Sequence, residues 1–185
     1  MACTYVSYVF INNSGLFSKV YFPRLIMPIA IVLFRLISFL VNFCMFLGFL
    51  LVFHLRGANI APGWWAFATP LVLCQTIALA IGIGSLAAAL TARYRDMIHV
   101  LSYLLGFWMY ATPIVYPLSA IPYPWRLLFF LNPMTSVVEV FRHGWLGTGE
   151  IHFAIWAVNA VTTAVVLGAG IVAFNYTEKT VIDTV

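Results

Sequence analysis

Glu139, Arg142 and His143 stand three and four residues apart, so on a helix they share one face and the carboxylate can pair with either cation. That spacing suits an ion pair rather than bond-making. A second concentration of charge is Arg93-Tyr94-Arg95-Asp96. Its arginines suit anchoring at a membrane surface, and Asp96 suits the first turn of a following helix, where the helix dipole favours a carboxylate. Cys3, Cys44 and Cys74 lie far apart with no C-x-x-C pair. The last two fall in apolar runs, where a free cysteine is a small hydrophobe rather than a metal ligand or disulfide partner. No G-x-x-x-x-G-K-[ST] loop occurs, so ATP hydrolysis by that route is excluded.

Gly82-Ile83-Gly84-Ser85 superficially matches the nucleophile site of an intramembrane protease. Such an enzyme needs a histidine base within a later span, whereas His143 and His152 fall near the outer surface. Gradient-driven carriers usually bury ionisable groups near the midplane, and no Asp, Glu or His lies clearly in the middle of a span. This weighs against a gradient-coupled carrier and favours a pump with a detached motor, with an intramembrane enzyme as the remote alternative.

The composition agrees. Hydrophobic residues make up 64% of the 185 and charged residues 8%, with a mean hydropathy of +1.03, which excludes an ordinary soluble domain. The nine Lys and Arg are scattered singly or in pairs, which excludes a nucleic-acid binder. A spanning helix needs roughly 20 apolar residues. Four runs meet that requirement: about Ile26 to Phe53, Trp64 to Leu90, Ile98 to Tyr116 and Phe153 to Phe174. The run Ala2 to Ile11 is too short and lacks the charged start of a signal peptide, so it reads as the tail of a helix that begins upstream. Lys19, Arg24, Arg93, Arg95 and Lys179 mark the cytoplasmic side, and Arg56, Arg126 and Arg142 the outer side. Trp64, Trp65, Trp125 and Trp145 then belong to an outer interfacial belt. Arg35, inside the first run, is expected to snorkel to the cytoplasmic surface. Small residues at Ala80, Gly84 and Ala88, and at Ala160, Ala164 and Gly168, form stripes suited to close helix packing.

Proline divides the outer side. Thr112-Pro113-Ile114-Val115-Tyr116-Pro117, Ile121-Pro122-Tyr123-Pro124-Trp125-Arg126 and Asn132-Pro133 leave apolar pieces too short to span a bilayer. Their backbone groups must then be buried against protein or face a watery cavity. Pro124 can open a short helix, Trp125 to Leu131. Asn132 can cap a second, with Pro133 at its first position and Gly147 just past its end. In that second helix Met134, Val137, Val138, Phe141 and Trp145 share one face. Both helices are expected to dip into the outer leaflet and return.

Tyr103, Phe107 and Tyr110 make an aromatic stripe at helical spacing, suited either to packing or to a sliding surface for sugars. On the inner side, Leu16, Phe17, Lys19, Val20, Tyr21 and Phe22 make a short apolar-faced helix flanked by cations and ended by Pro23, a shape that docks into a groove.

Taken in order, Lys19-Val20-Tyr21-Phe22-Pro23-Arg24, Arg93-Tyr94-Arg95-Asp96, Thr112-Pro113-Ile114-Val115-Tyr116-Pro117, Asn132-Pro133 and Phe141-Arg142 resemble the ABC type-2 permeases. The branch they resemble exports polysaccharides and polyol phosphates: O-antigen, capsule or teichoic acid on lipid carriers. The resemblance implies a permease homodimer that binds two ATP-binding cassette subunits, with ATP and Mg on those partners and no cofactor in this chain. It implies six spanning helices, of which this chain holds the third to the sixth and the end of the second. Leu16 to Phe22 would be the first coupling helix, and Arg93, Arg95 and Asp96 would lie in the second ATPase contact. Pro117, Trp125, Asn132, Pro133, Glu139 and Arg142 would belong to the outer gate helices. The wider family also includes drug and small-lipid exporters, which neighbouring genes would distinguish.

The expected fold is therefore all-α: a single permease domain over residues 1–185, built as a polytopic helical bundle. It has four full spanning helices, a partial helix over 1–11, a coupling segment over 12–24 and an outer re-entrant region over 117–150. A cytoplasmic-membrane location and contact with membrane lipids follow.

Overall fold

The computed structural model describes residues 26–57, 62–94, 96–114, 116, 118–149 and 151–182. The expectations for 1–11, for the coupling segment with Leu16, Phe17, Lys19, Val20, Tyr21 and Phe22, and for Arg95 and Pro117 lie outside these residues.

Among the described residues there are six α-helices. Helix α1 (Ile26–Leu55) tolerates Pro28 in its first turn and ends where Gly57 turns to φ 83°, with its N–H donating to the His54 carbonyl. A 3-10 turn (Trp64–Ala68) leads into α2 (Thr69–Arg93). Helix α3 runs over Met97–Tyr110, and at its start the Asp96 carbonyl accepts from the His99 N–H. Two short helices, α4 (Tyr123–Phe130) and α5 (Pro133–Leu146), precede the long α6 (Phe153–Ile182).

Among the described residues three stretches, Ile29–Leu55, Trp64–Ala92 and Phe153–Thr177, are long and apolar enough to cross a membrane. The third expected span is shorter than the sequence suggested. At about 1.5 Å per residue, the 14 residues of α3 fall short of the roughly 30 Å hydrocarbon core. Pro113 explains the stop: it lacks an N–H and turns Thr112 away from helical geometry.

The described residues cluster into two compact units. One comprises residues up to Arg35, Ile77–Trp108 and those from Thr163 onward. Its centre is a backbone-to-backbone crossing of α2 and α6. A Cβ added to Gly82 would lie 2.8 Å from Leu167 Cα, and one added to Gly170 would collide with the Gly82 carbonyl. Ser85, Ala87 and Ala88 are buried nearby in sequence. The expected α2 stripe is largely inward, with Gly84 and Ala88 buried. The α6 stripe is not: Ala160, Ala164 and Gly168 face outward. Helix α6 instead turns in Asn159, Thr163, Gly170 and Phe174. That inward face combines two polar side chains with Gly170, whose close approach to Gly82 needs a residue without a Cβ.

The other unit comprises Leu36–Thr76 and Met109–Thr162. Val72, Val137 and Val140 form its core, with Ala68, Met134 and Trp156 packed against them. Beside it, Phe43 meets Trp145 edge-on at 5.4 Å and Phe46 meets Phe141 at 5.5 Å. Half-buried Trp145 packs its ring against these phenylalanines. Trp64 and Trp125 are exposed, whereas half-buried Trp65 lies against Phe153.

Candidate functional site

Beyond Tyr110 the chain leaves helical geometry in mid-sequence, and its carbonyls lose their helical partners. An unpaired carbonyl in apolar surroundings costs several kcal/mol. Two side chains of the α5 segment meet that cost. Asn132 Nδ2 donates to Thr112 Oγ1 at 3.0 Å and to the Ala111 carbonyl at 3.3 Å. Arg142 Nη2 donates to the Ile114 carbonyl at 2.8 Å and to that of Pro113 at 3.4 Å, while Nη1 reaches the Tyr116 carbonyl at 3.4 Å. The bond to Ile114 is the strong one; the others are at the long limit of hydrogen bonding. The planar fork of a guanidinium suits this fan of acceptors, which an ammonium cannot match. Tyr116 closes the turn by donating its hydroxyl to the Tyr110 carbonyl at 3.1 Å.

Asn132 also caps α5. Its Oδ1 accepts from the Met134 N–H at 3.0 Å, with Pro133 next in the first helical position. One amide therefore holds both ends of the clamp, using its acceptor for the helix and its donors for the break. At the far end, Gly147 adopts φ 67° and its N–H donates to the His143 carbonyl at 3.1 Å.

The Glu139 carboxylate pairs with Arg142 at 3.4 Å. Of the two cations within reach by sequence, Arg142 takes the pair, and His143 Nδ1 lies 2.8 Å from the Gly149 carbonyl instead. Glu139 is only 6% exposed, so Arg142 compensates a charge withdrawn from solvent. Gly149, at φ 109°, leaves room for it: a Cβ there would sit 2.6 Å from Glu139 Oε2.

Helix α5 is held from behind by contacts that demand small or matching groups. The Gly63 N–H donates to the Gly144 carbonyl at 2.9 Å, and a Cβ on Gly144 would lie 2.8 Å from Trp65 backbone atoms. Trp145 Nε1 donates to Thr69 Oγ1 at 2.8 Å, and next to this contact Trp156 of α6 donates its Nε1 to Gln75 Oε1 of α2 at 3.0 Å. Along the apolar face of α5 a cleft of about 410 Å³ opens, lined among others by Phe39, Val72, Val137, Phe141 and Arg142. The arrangement is held by hydrogen bonds and an ion pair. It latches an irregular segment to a short helix. The Ser85 hydroxyl is fully buried and has no hydrogen-bond partner among the described residues.

The other expected residues fall elsewhere. Tyr103, Phe107 and Tyr110 stand out from α3, each between 72% and 74% exposed. Trp125 projects from α4, which begins at Tyr123 with Pro122 at its cap rather than at Trp125. Arg93 is the last residue of α2, and Asp96 directly precedes α3. The sequence motifs included Thr112 without giving it a role, and missed Gln75, Thr69, Gly144 and Gly149 as parts of the assembly. A lone amide in an apolar run, and the Gly147-Thr148-Gly149 doublet after a helix, were the available signals.

Residues 1–146 match the family described as ABC-2 type transporter. Among similar proteins, the O-antigen export system permease protein RfbA of Myxococcus xanthus is 31% identical over 156 residues, 81% of this chain and 58% of that protein. Two proteins of the same name from Klebsiella pneumoniae are 24% and 23% identical over 166 residues, 90% of this chain and 62% of each. The chain thus spans about three fifths of the length of these relatives. With its long apolar helices it is a multi-pass membrane protein, and it belongs to the ABC-2 type transporter family.

Proposed function

We propose that this chain is the membrane subunit of an ATP-driven exporter that moves a lipid-linked polysaccharide or polyol-phosphate polymer out across the bacterial cytoplasmic membrane. The observation that carries this reading is the family match, together with relatives named for O-antigen export. Two permease subunits pair, and a separate ATP-binding cassette subunit binds ATP and Mg beneath each. The segment with Leu16, Phe17, Lys19, Val20, Tyr21 and Phe22, and the turn from Arg93 to Asp96, receive the motor's movement.

On this reading α4 and α5, with Pro117, form the outer gate, and the Asn132–Arg142 clamp keeps the end of α3 attached to it. A polymer leaving the membrane needs an outlet that opens without exposing bare carbonyls to lipid. Side-chain donors shared among several carbonyls meet that need, because they can exchange partners. The exposed Tyr103, Phe107 and Tyr110 offer rings on which the apolar faces of sugars can stack. Deleting the gene in its host should remove the surface polymer and leave its lipid-linked precursor inside, with full-length protein restoring export. A deletion strain with normal surface glycan and no internal precursor would overturn the proposal.

A further inference from the structure

Most helical threonines described here hand their hydroxyl back to their own helix. Thr76, Thr91, Thr162 and Thr177 each donate to the carbonyl four residues earlier. Thr135 does not. It lies in the first turn of α5, where the preceding carbonyls are not yet helical, and although 1% exposed its Oγ1 has no partner. Neighbouring Ser136 spends its hydroxyl on the Pro133 carbonyl.

Thr135 borders a small, partly open chamber of about 20 Å³, lined also by Phe130, Glu139, His152, Ile155 and Trp156. One water needs roughly 10–15 Å³ and two to four polar partners. The Glu139 carboxylate can accept several hydrogen bonds, and its bond from Arg142 is long, at 3.4 Å. Its charge is already matched by that guanidinium, so the chamber calls for a neutral group that both accepts and donates. We propose that this chamber is a binding site for one ordered water, which accepts from the Thr135 hydroxyl and donates to the Glu139 carboxylate.

Such a water gives the buried carboxylate a second donor. Arg142 can then shift among the carbonyls of Pro113, Ile114 and Tyr116 without leaving Glu139 bare. That consequence rests on the gate reading; the water itself does not. The test is a density map of the full-length permease in lipid that shows ordered waters. One solvent peak is expected within hydrogen-bonding distance of Thr135 Oγ1 and a Glu139 oxygen, lost in the near-isosteric Thr135→Val and regained in Thr135→Ser. A dry chamber in the unmodified protein, or an unchanged peak in Thr135→Val, would overturn the assignment. Because the unmodified protein supplies the first reading, a variant that fails to fold does not blunt the test.

Discussion

Replacing Arg142 with alanine strips the counter-ion from a buried carboxylate and uncaps the carbonyls of Pro113, Ile114 and Tyr116 in one step. Removing one partner of a buried pair costs about 3–5 kcal/mol, chiefly because the other charge stays buried. A domain of this size loses roughly 2–4 °C of melting temperature per kcal/mol, so the expected drop is about 6–20 °C. The assay is thermal unfolding of the purified permease followed by tryptophan fluorescence, which Trp145, beside Phe141, should report. Two further variants divide the loss. Arg142→Lys keeps the charge but not the fork, and should recover part of the stability. Adding Glu139→Gln to Arg142→Ala removes the stranded charge and should also recover part, leaving the cost of the bare carbonyls, about 1–3 kcal/mol for each that stays buried. If Arg142→Ala melts no lower than a variant at an exposed site such as Tyr103→Ala, the clamp carries no stability and the reasoning fails.

Asn132→Asp keeps an acceptor for the Met134 N–H but loses the donor to Thr112, so it should cost about 1 kcal/mol, whereas Asn132→Ala also loses the cap and should cost about twice that; chemical denaturation compares them. Gly82→Val, which forces a side chain against the Leu167 backbone, should destabilise the protein by about 1–3 kcal/mol or more. Gly168→Val, with open space around it, should change melting little. Replacing Tyr103 and Tyr110 with alanine should lower export in a vesicle assay while the dimer still forms, and undiminished export would remove the stripe from the path. Tyr21→Asp should weaken co-purification of the ATPase subunit while the permease still inserts, and full retention would argue against docking there.

The long helices were readable because a spanning run announces itself by length and apolarity, and the α5 caps because Asn-Pro before a helix and Gly after it have few other uses. The short α3 was harder. Its apolar run continues past Tyr110 to Tyr116, and only Pro113 marks the break, whose depth depends on what tertiary partner receives the freed carbonyls. Orientation about the axis was least readable. In α6 the stripe Ala160, Ala164 and Gly168 and the set Asn159, Thr163 and Gly170 are both regular enough to face inward, and the second is the one buried, with Gly170 against Gly82. The choice of Arg142 over His143 for Glu139 likewise depended on Gly149, which draws the histidine away through contacts that helical spacing cannot convey. Glu139 and Arg142 were visible as a pair, but the guanidinium's larger task, collecting three carbonyls from a segment some 26 to 29 residues earlier, was not.

ATP-dependent transfer of a lipid-linked glycan across reconstituted vesicles, with the full-length permease and its ATP-binding partner present, bears most directly on the export reading. Glycan should cross only when permease, partner and ATP are all supplied, and Arg142→Ala should reduce the rate even in molecules that remain folded. Transfer that needs no ATP or no partner, or an intact complex that hydrolyses ATP and moves no glycan, would contradict the account.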